Sequence, residues 1–175
     1  LPILIFGALI KYVFFEYYDS TLRSNFSIGL ISILMAILMF ISDSVNKKNI
    51  TLENYTYLSS LIIGISQALA IIPGVSRSGI TISTAFLLGW KREDATKYSF
   101  MLGLVSITIA AFVELNYSLN QQVSFPILPL TLALISTFLV SLVSIKFFIK
   151  YVSGNGLKLF AYYRIFFGCL ILINY

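Results

Sequence analysis

The sequence predicts an all-α, polytopic membrane helical bundle that contains a re-entrant helix hairpin. Composition is the first reason: hydrophobic residues make up 58% and charged residues 11% of the chain, where a soluble domain carries about 25% charge, and the mean hydropathy is +0.92. Pattern is the second, because apolar runs recur between short polar breaks, which predicts one membrane domain over residues 1–175 rather than separate domains. Alternating barrel-type strands are not evident. The third reason is a break in the middle of one apolar region, at Pro73-Gly74 and the polar tip Ser76-Arg77-Ser78.

Taken in order, the first expected segment is Leu1 to Phe15, ending in the aromatic and acidic patch Glu16-Tyr17-Tyr18-Asp19, which suits a membrane interface. It lacks a basic leader and a small-residue cleavage site, so it is not read as a signal peptide. The second segment is Phe26 to Ile41, followed by a polar loop with Asp43, Lys47 and Lys48 that reaches about Asn54. After the broken region come segments at about Ala95–Val113, Ile127–Ile145 and Leu157–Tyr175, with Asn116–Pro126 and Ser153-Gly-Asn-Gly156 as connections. Cys169 lies in an apolar run and is expected as a small packing residue.

The broken region carries the chemistry. Leu58–Ile72 has no charge and, at about 1.5 Å per residue, covers roughly 22 Å; the hydrocarbon core is about 30 Å thick. Gly79–Trp90 is shorter still. A hairpin that enters, turns at Pro73-Gly74 and leaves on its own side accommodates both arms. Irregular backbone at membrane depth is tolerated only against protein or a wet cavity, so the tip is expected to line a cavity. The second arm begins near Ser78 or Gly79, and its unpaired N–H groups attract anions. Arg77 adds a planar fork of donors suited to phosphate oxygens. Ser76, Ser78 and Thr81 supply hydroxyls, and Gly74 and Gly79 permit close backbone approach. Each has a plainer reading: Ser78 as a helix cap, Arg77 as half of an ion pair, and Gln67 as a polar contact between packed helices.

Net charge is +5, but the basic residues are spread over short loops, which argues for membrane orientation rather than nucleic-acid binding. With the hairpin returning to its own side, Lys47, Lys48, Lys91, Arg92, Lys97, Lys146, Lys150 and Lys158 fall on the cytoplasmic face, against Arg23 alone in the outer loops. The C-terminus is then expected outside. Two full crossings would give the same sidedness, so the shortness of the arms is the argument for re-entrance.

The run from Gly64 to Ser83, GISQALAIIPGVSRSGITIS, followed by LLGWKREDATKYSFML, resembles the second signature of the bacterial undecaprenyl-diphosphatase family, the bacitracin-resistance type of lipid phosphatase. The closing run Leu159–Gly168 is similar to that family's terminal helix. Val105 and Ala85 stand where that pattern commonly has proline and glycine. The resemblance implies an inverted-repeat architecture in the bacterial inner membrane, and hydrolysis of undecaprenyl diphosphate to the monophosphate and phosphate. That reaction recycles the lipid carrier of cell-wall synthesis and confers bacitracin resistance.

It also implies a first signature with glutamates and a histidine. This chain has no histidine, so it is expected to be the C-terminal two-thirds of a longer protein and inactive alone. Under the resemblance Arg77 and Ser76 are the catalytic candidates, with Ser76 weighed as ligand before nucleophile because no base lies near it in sequence. Gly74, Ser78, Gly79, Thr81 and Gln67 are the substrate-binding candidates. A divalent cation, Mg or Ca, is expected on ligands outside this chain. Arg164 with Tyr163 reads more readily as an interfacial anchor than as a site. Expected partners are a polyprenyl diphosphate and membrane lipids, and a homodimer is compatible with the sequence. The alternative function is a transporter or flippase for an anionic lipid or small anion, since broken helices aim their ends at such cargo as well.

Overall fold

In a computed structural model, residues 22–45, 49–121 and 126–174 are described. The first expected segment, the Glu16–Asp19 patch and Lys47-Lys48 lie outside the described residues. The described residues form six α-helices: α1 Asn25–Val45, α2 Tyr57–Ala68, α3 Arg77–Leu87, α4 Arg92–Asn120, α5 Ile127–Asn155 and α6 Lys158–Ile173. Three of them, α1, α4 and α5, are long and apolar enough to cross a membrane. The chain is therefore a multi-pass membrane protein.

Local chemistry explains most helix starts. Thr56 caps α2 by accepting from the Ser59 amide at 3.2 Å. Glu93 and Asp94 occupy the first turn of α4, where the positive end of the helix dipole favours them. Pro126 precedes α5, at a position where its missing N–H costs nothing.

Three helices outrun their expected ends, and α1, continuing past Ile41 to Val45, carries Asp43 on the helix rather than in the expected polar loop. α4 continues past Val113 to Asn120, and α5 past Ile145 to Asn155. A charged residue at the edge of an apolar run does not stop a helix, because Glu114, Lys146 and Lys150 can extend into the headgroup region while the backbone ladder continues. The expected turn at Ser153–Gly156 is mostly the last turn of α5. Gly156, at φ +73°, ends the helix in the left-handed region that favours glycine.

Packing is tightest between α1 and α6. A Cβ on Gly29 would meet the Leu172 side chain at 2.9 Å, and one on Gly168 would meet Ile33 at 2.8 Å; small residues facing each other let these backbones approach closely. The core gathers Ala36 and Met39 of α1, Ile63 of α2, Ile82 and Phe86 of α3, and Val152, Leu157 and Ala161 near the α5–α6 turn. Much of the remaining apolar surface is exposed, as lipid-facing helices require, and Cys169 is exposed on α6 rather than packed inside.

α2 and α3 form a hairpin. Its outer ends meet where the Tyr55 and Trp90 rings lie 5.6 Å apart and Ile50 pairs with Trp90 in a short parallel bridge. Its tip reaches inside the bundle, where a Cβ on Gly74 would meet the Ile28 carbonyl at 2.9 Å and Ile31 at 3.3 Å, both on α1. Gly74 adopts φ +93°, so the Pro73-Gly74 turn needs glycine for conformation as well as for space.

Candidate anion-binding site

The tip is held against protein, as the sequence requires. A single 3-10 turn, Leu69–Ile71, ends the first arm, the backbone becomes extended at Ile72, and α3 begins at Arg77. Ser76 is the N-cap: its hydroxyl accepts from the Gly79 amide at 3.3 Å. It is also the only described non-glycine residue with positive φ, at 66°. Such a conformation costs of order 1–3 kcal/mol and persists where the surroundings impose it. With Gly79's N–H taken by Ser76, the amides of Arg77 and Ser78 are left as the free donors of the helix end.

A cavity of about 190 Å³ opens beside this end, and Ser76, Ser78, Gly79 and Ile82 form one wall. Met39 of α1 and Phe148, Leu157, Phe160, Tyr163 and Arg164 complete it. Arg164 is the cation of this cavity. Its Nε donates to the Ser32 carbonyl at 3.5 Å and its Nη2 to the Gly74 carbonyl, which pins α6 to the turn and to α1. The remaining guanidinium donors are available to a ligand in the cavity. Sequence reasoning ranked Arg164 as an anchor, because nothing local in the sequence places it beside a tip about ninety residues earlier.

The structure brings Ser76, Ser78 and Gly79 together and places Gly74 beside them, but turns the other expected residues elsewhere. Arg77 does not line the Ser76–Ser78 cavity. Its Nη1 donates to the Gly103 carbonyl of α4 at 3.1 Å, and it opens on a second, mostly apolar cavity of about 540 Å³ with Phe100, Met101, Leu104, Ile107, Thr108 and Ile145. Thr81 is buried, donates to the Arg77 carbonyl at 2.9 Å and shares a 2.6 Å hydrogen bond with Ser99. Gln67 is buried and donates from Nε2 to Ser106 at 2.9 Å, while its Oε1 has no partner.

Helix periodicity is the physical reason for the split. Positions 77 and 81 stand four apart and share a stripe, as do Ser99 and Gly103 of α4, and the two stripes face each other. Positions 78, 79 and 82 form a different stripe that faces α1 and α6. Gly103, which sequence reasoning missed, is the seat of Arg77: a Cβ there would meet Arg77 Nη2 at 2.9 Å.

Among the described residues no three of His, Cys, Asp and Glu gather where they could hold a metal ion. Asp43 is engaged by Arg92 at 2.6 Å, and Glu93 by Lys97 at 2.6 Å. The residues described do not fit a divalent cation. What the described residues place there is a cation on each side of one helix end, Arg164 on one and Arg77 on the other.

Comparison with known proteins gives the family. A family model described as bacitracin resistance protein BacA matches residues 1–170. Undecaprenyl-diphosphatases of Prochlorococcus marinus (strain MIT 9515) and of Prochlorococcus marinus subsp. pastoris are each 55% identical over 174 residues. Each alignment covers 99% of this chain and 65% of the relative. A more distant one, from Synechococcus sp. (strain RCC307), is 39% identical over 172 residues, covering 98% of this chain and 60% of the relative. The chain thus spans a little under two thirds of the length of these relatives.

Proposed function

The chain belongs to the bacitracin resistance protein BacA family, and from that premise we propose that it is the diphosphate-gripping part of an undecaprenyl-diphosphatase. The whole protein hydrolyses undecaprenyl diphosphate to undecaprenyl phosphate and phosphate, returning the lipid carrier to cell-wall synthesis and conferring resistance to bacitracin. The observation that carries this reading is the tip itself: a strained Ser76, the N-terminus of α3 and Arg164 converge on one cavity. Arg77 lies on the other side of the same helix end.

In this reading α2 and α3 are a re-entrant hairpin, supported by outer ends that meet at Tyr55 and Trp90 and a tip that stops against α1. Hydrolysis places growing negative charge on phosphoryl oxygens, and fixed donors in a dry site are the largest contribution to stabilising it. The Arg77 and Ser78 amides, the Ser76 and Ser78 hydroxyls and the Arg164 fork hold one phosphoryl group. Arg77, from its own cavity, neutralises the other and faces the residues that activate water. Ser76 acts as a ligand: no base is among the side chains of its cavity, and a serine nucleophile needs one. Nucleophile activation and any Mg or Ca ligands belong to the length of the relatives that this chain does not span, arranged as the second half of an inverted repeat. The enzyme resides in the bacterial inner membrane with its C-terminus outside, and its substrate partner is a polyprenyl diphosphate.

A carrier of anionic lipids is the competing reading, favoured by the same interior helix end. Phosphate release from undecaprenyl diphosphate in detergent, by the protein restored to the length of its relatives, separates the two. The phosphatase reading expects turnover that falls about a hundredfold or more in Arg77→Ala; a carrier releases no phosphate in either form.

A further inference from the structure

A second charged cleft lies away from the tip, at the end of the bundle where α4 begins and α5 finishes. It holds about 340 Å³ and is lined by Glu93 of α4 and by Lys146, Ile149, Lys150 and Ser153 of α5. The extension of α5 beyond its expected end is what builds it, because Lys146 and Lys150 stand four residues apart on one helical face instead of in a flexible loop. Like charges at that spacing repel each other. No described carboxylate neutralises them: Glu93 is paired with Lys97 at 2.6 Å, and Asp43 with Arg92 at 2.6 Å. Ser153 donates its hydroxyl to the Ile149 carbonyl at 2.7 Å. The lining therefore carries a net positive charge, two lysines against one glutamate that Lys97 already engages, beside the apolar side chain of Ile149.

Depth identifies the counter-charge. α5 has 29 residues and is about 43 Å long at about 1.5 Å per residue, whereas the hydrocarbon core is about 30 Å thick. Its last turns must reach the headgroup level. Phe147, 67% exposed, stacks on Tyr151 with ring centroids 6.0 Å apart, an aromatic pair of the kind that marks a membrane–water boundary. A basic pocket between transmembrane helices at that level suits an anionic lipid headgroup.

We infer that the α4–α5 cleft binds the phosphate of an anionic phospholipid through Lys146 and Lys150, with the acyl chains running along α5. This rests on the membrane-spanning fold and not on the phosphatase reading, so its failure leaves that reading untouched. The test is native mass spectrometry of the full chain titrated with phosphatidylglycerol, phosphatidylcholine and, separately, inorganic phosphate. Phosphatidylglycerol is expected to bind about tenfold or more tightly than phosphatidylcholine, a preference lost in Lys146→Gln/Lys150→Gln and kept in Lys146→Arg/Lys150→Arg and in Lys158→Gln. Acetylation of the parent chain in vesicles gives an independent readout: Lys146 and Lys150 are slowed relative to Lys158 in phosphatidylglycerol and not in phosphatidylcholine. Equal binding of the two lipids, an undiminished preference in the glutamine variant, equal acetylation in both vesicles, or lysine-dependent binding of inorganic phosphate without lipid preference overturns the assignment.

Discussion

Arg77 is seated on Gly103: its Nη1 donates to the Gly103 carbonyl at 3.1 Å, and the space beside its Nη2 is open only because Gly103 has no side chain. A Cβ there would stand 2.9 Å from that nitrogen. Gly103→Ala should therefore move the guanidinium without removing it. In the full-length protein we expect turnover to fall about tenfold or more, since misplacing a positioning group by an ångström can cost about a hundredfold. Phosphate release and thermal melting on one preparation check this; a large loss of melting temperature with parental turnover would mean that Gly103 serves packing alone.

Ser76 separates capping from binding. Its positive φ suits glycine, and replacing a serine cap by glycine costs only a few tenths of a kcal/mol. Ser76→Gly should thus unfold like the parent while phosphate release drops by about tenfold or more, because a hydroxyl is missing from the cavity. Parental turnover would reduce Ser76 to a helix cap.

Thr81 is expected to matter for stability and not for turnover. Its hydroxyl is buried on Ser99 at 2.6 Å, so Thr81→Val leaves the Ser99 hydroxyl short of a partner, at a cost of about 1–3 kcal/mol. Adding Ser99→Ala should restore much of that loss, because both polar partners are then gone. Unfolding curves of the two single variants and the double variant measure the coupling; additive losses would deny the contact.

Asp43 and Arg92 tie three parts of one bundle end together. The Asp43 side chain is fully buried, receives Arg92 Nε at 2.9 Å, and leaves Oδ2 without a partner; Arg92 also reaches the Gly154 carbonyl at 3.4 Å. Removing one member strands the other, so Asp43→Ala should cost about 3 kcal/mol, and Asp43→Ala/Arg92→Ala less than the sum of the singles. Gly156→Ala should also destabilise, since its Cβ would overlap the Asp43 carboxylate and φ is +73°. Unfolding in mixed detergent reads all of these, and unchanged midpoints would show that the pair contributes nothing.

How much of this the sequence discloses depends on range. The membrane class and the broken helix follow from composition and from a dozen neighbouring residues, and these are in place; the cap is Ser76 and not the expected Ser78, because the helix starts at Arg77, one or two residues earlier than the sequence suggests. The division of the tip into an Arg77–Thr81 stripe and a Ser78–Gly79–Ile82 stripe was present in the four-residue spacing, yet treating the tip as a single point hid it. Gly103 and Arg164 were not legible: each meets the tip through a contact 26 or 90 residues distant, and local pattern carries no such information. The ends of α4 and α5 lie beyond the apolar runs that mark them in the sequence, because Glu114 and Lys146 reach the membrane surface on long side chains without interrupting the helix.

The central proposal is that the cavity between the α3 N-terminus and α6 grips one phosphoryl group of a diphosphate headgroup, and affinity tests it most directly. The measurement is the dissociation constant of a non-hydrolysable polyprenyl diphosphate for the full-length protein and for its Arg164→Lys variant, which keeps the charge and loses the planar fork. Binding at least about tenfold weaker in the variant, at an unchanged melting temperature, is expected. Equal affinity for the two proteins would contradict the proposal.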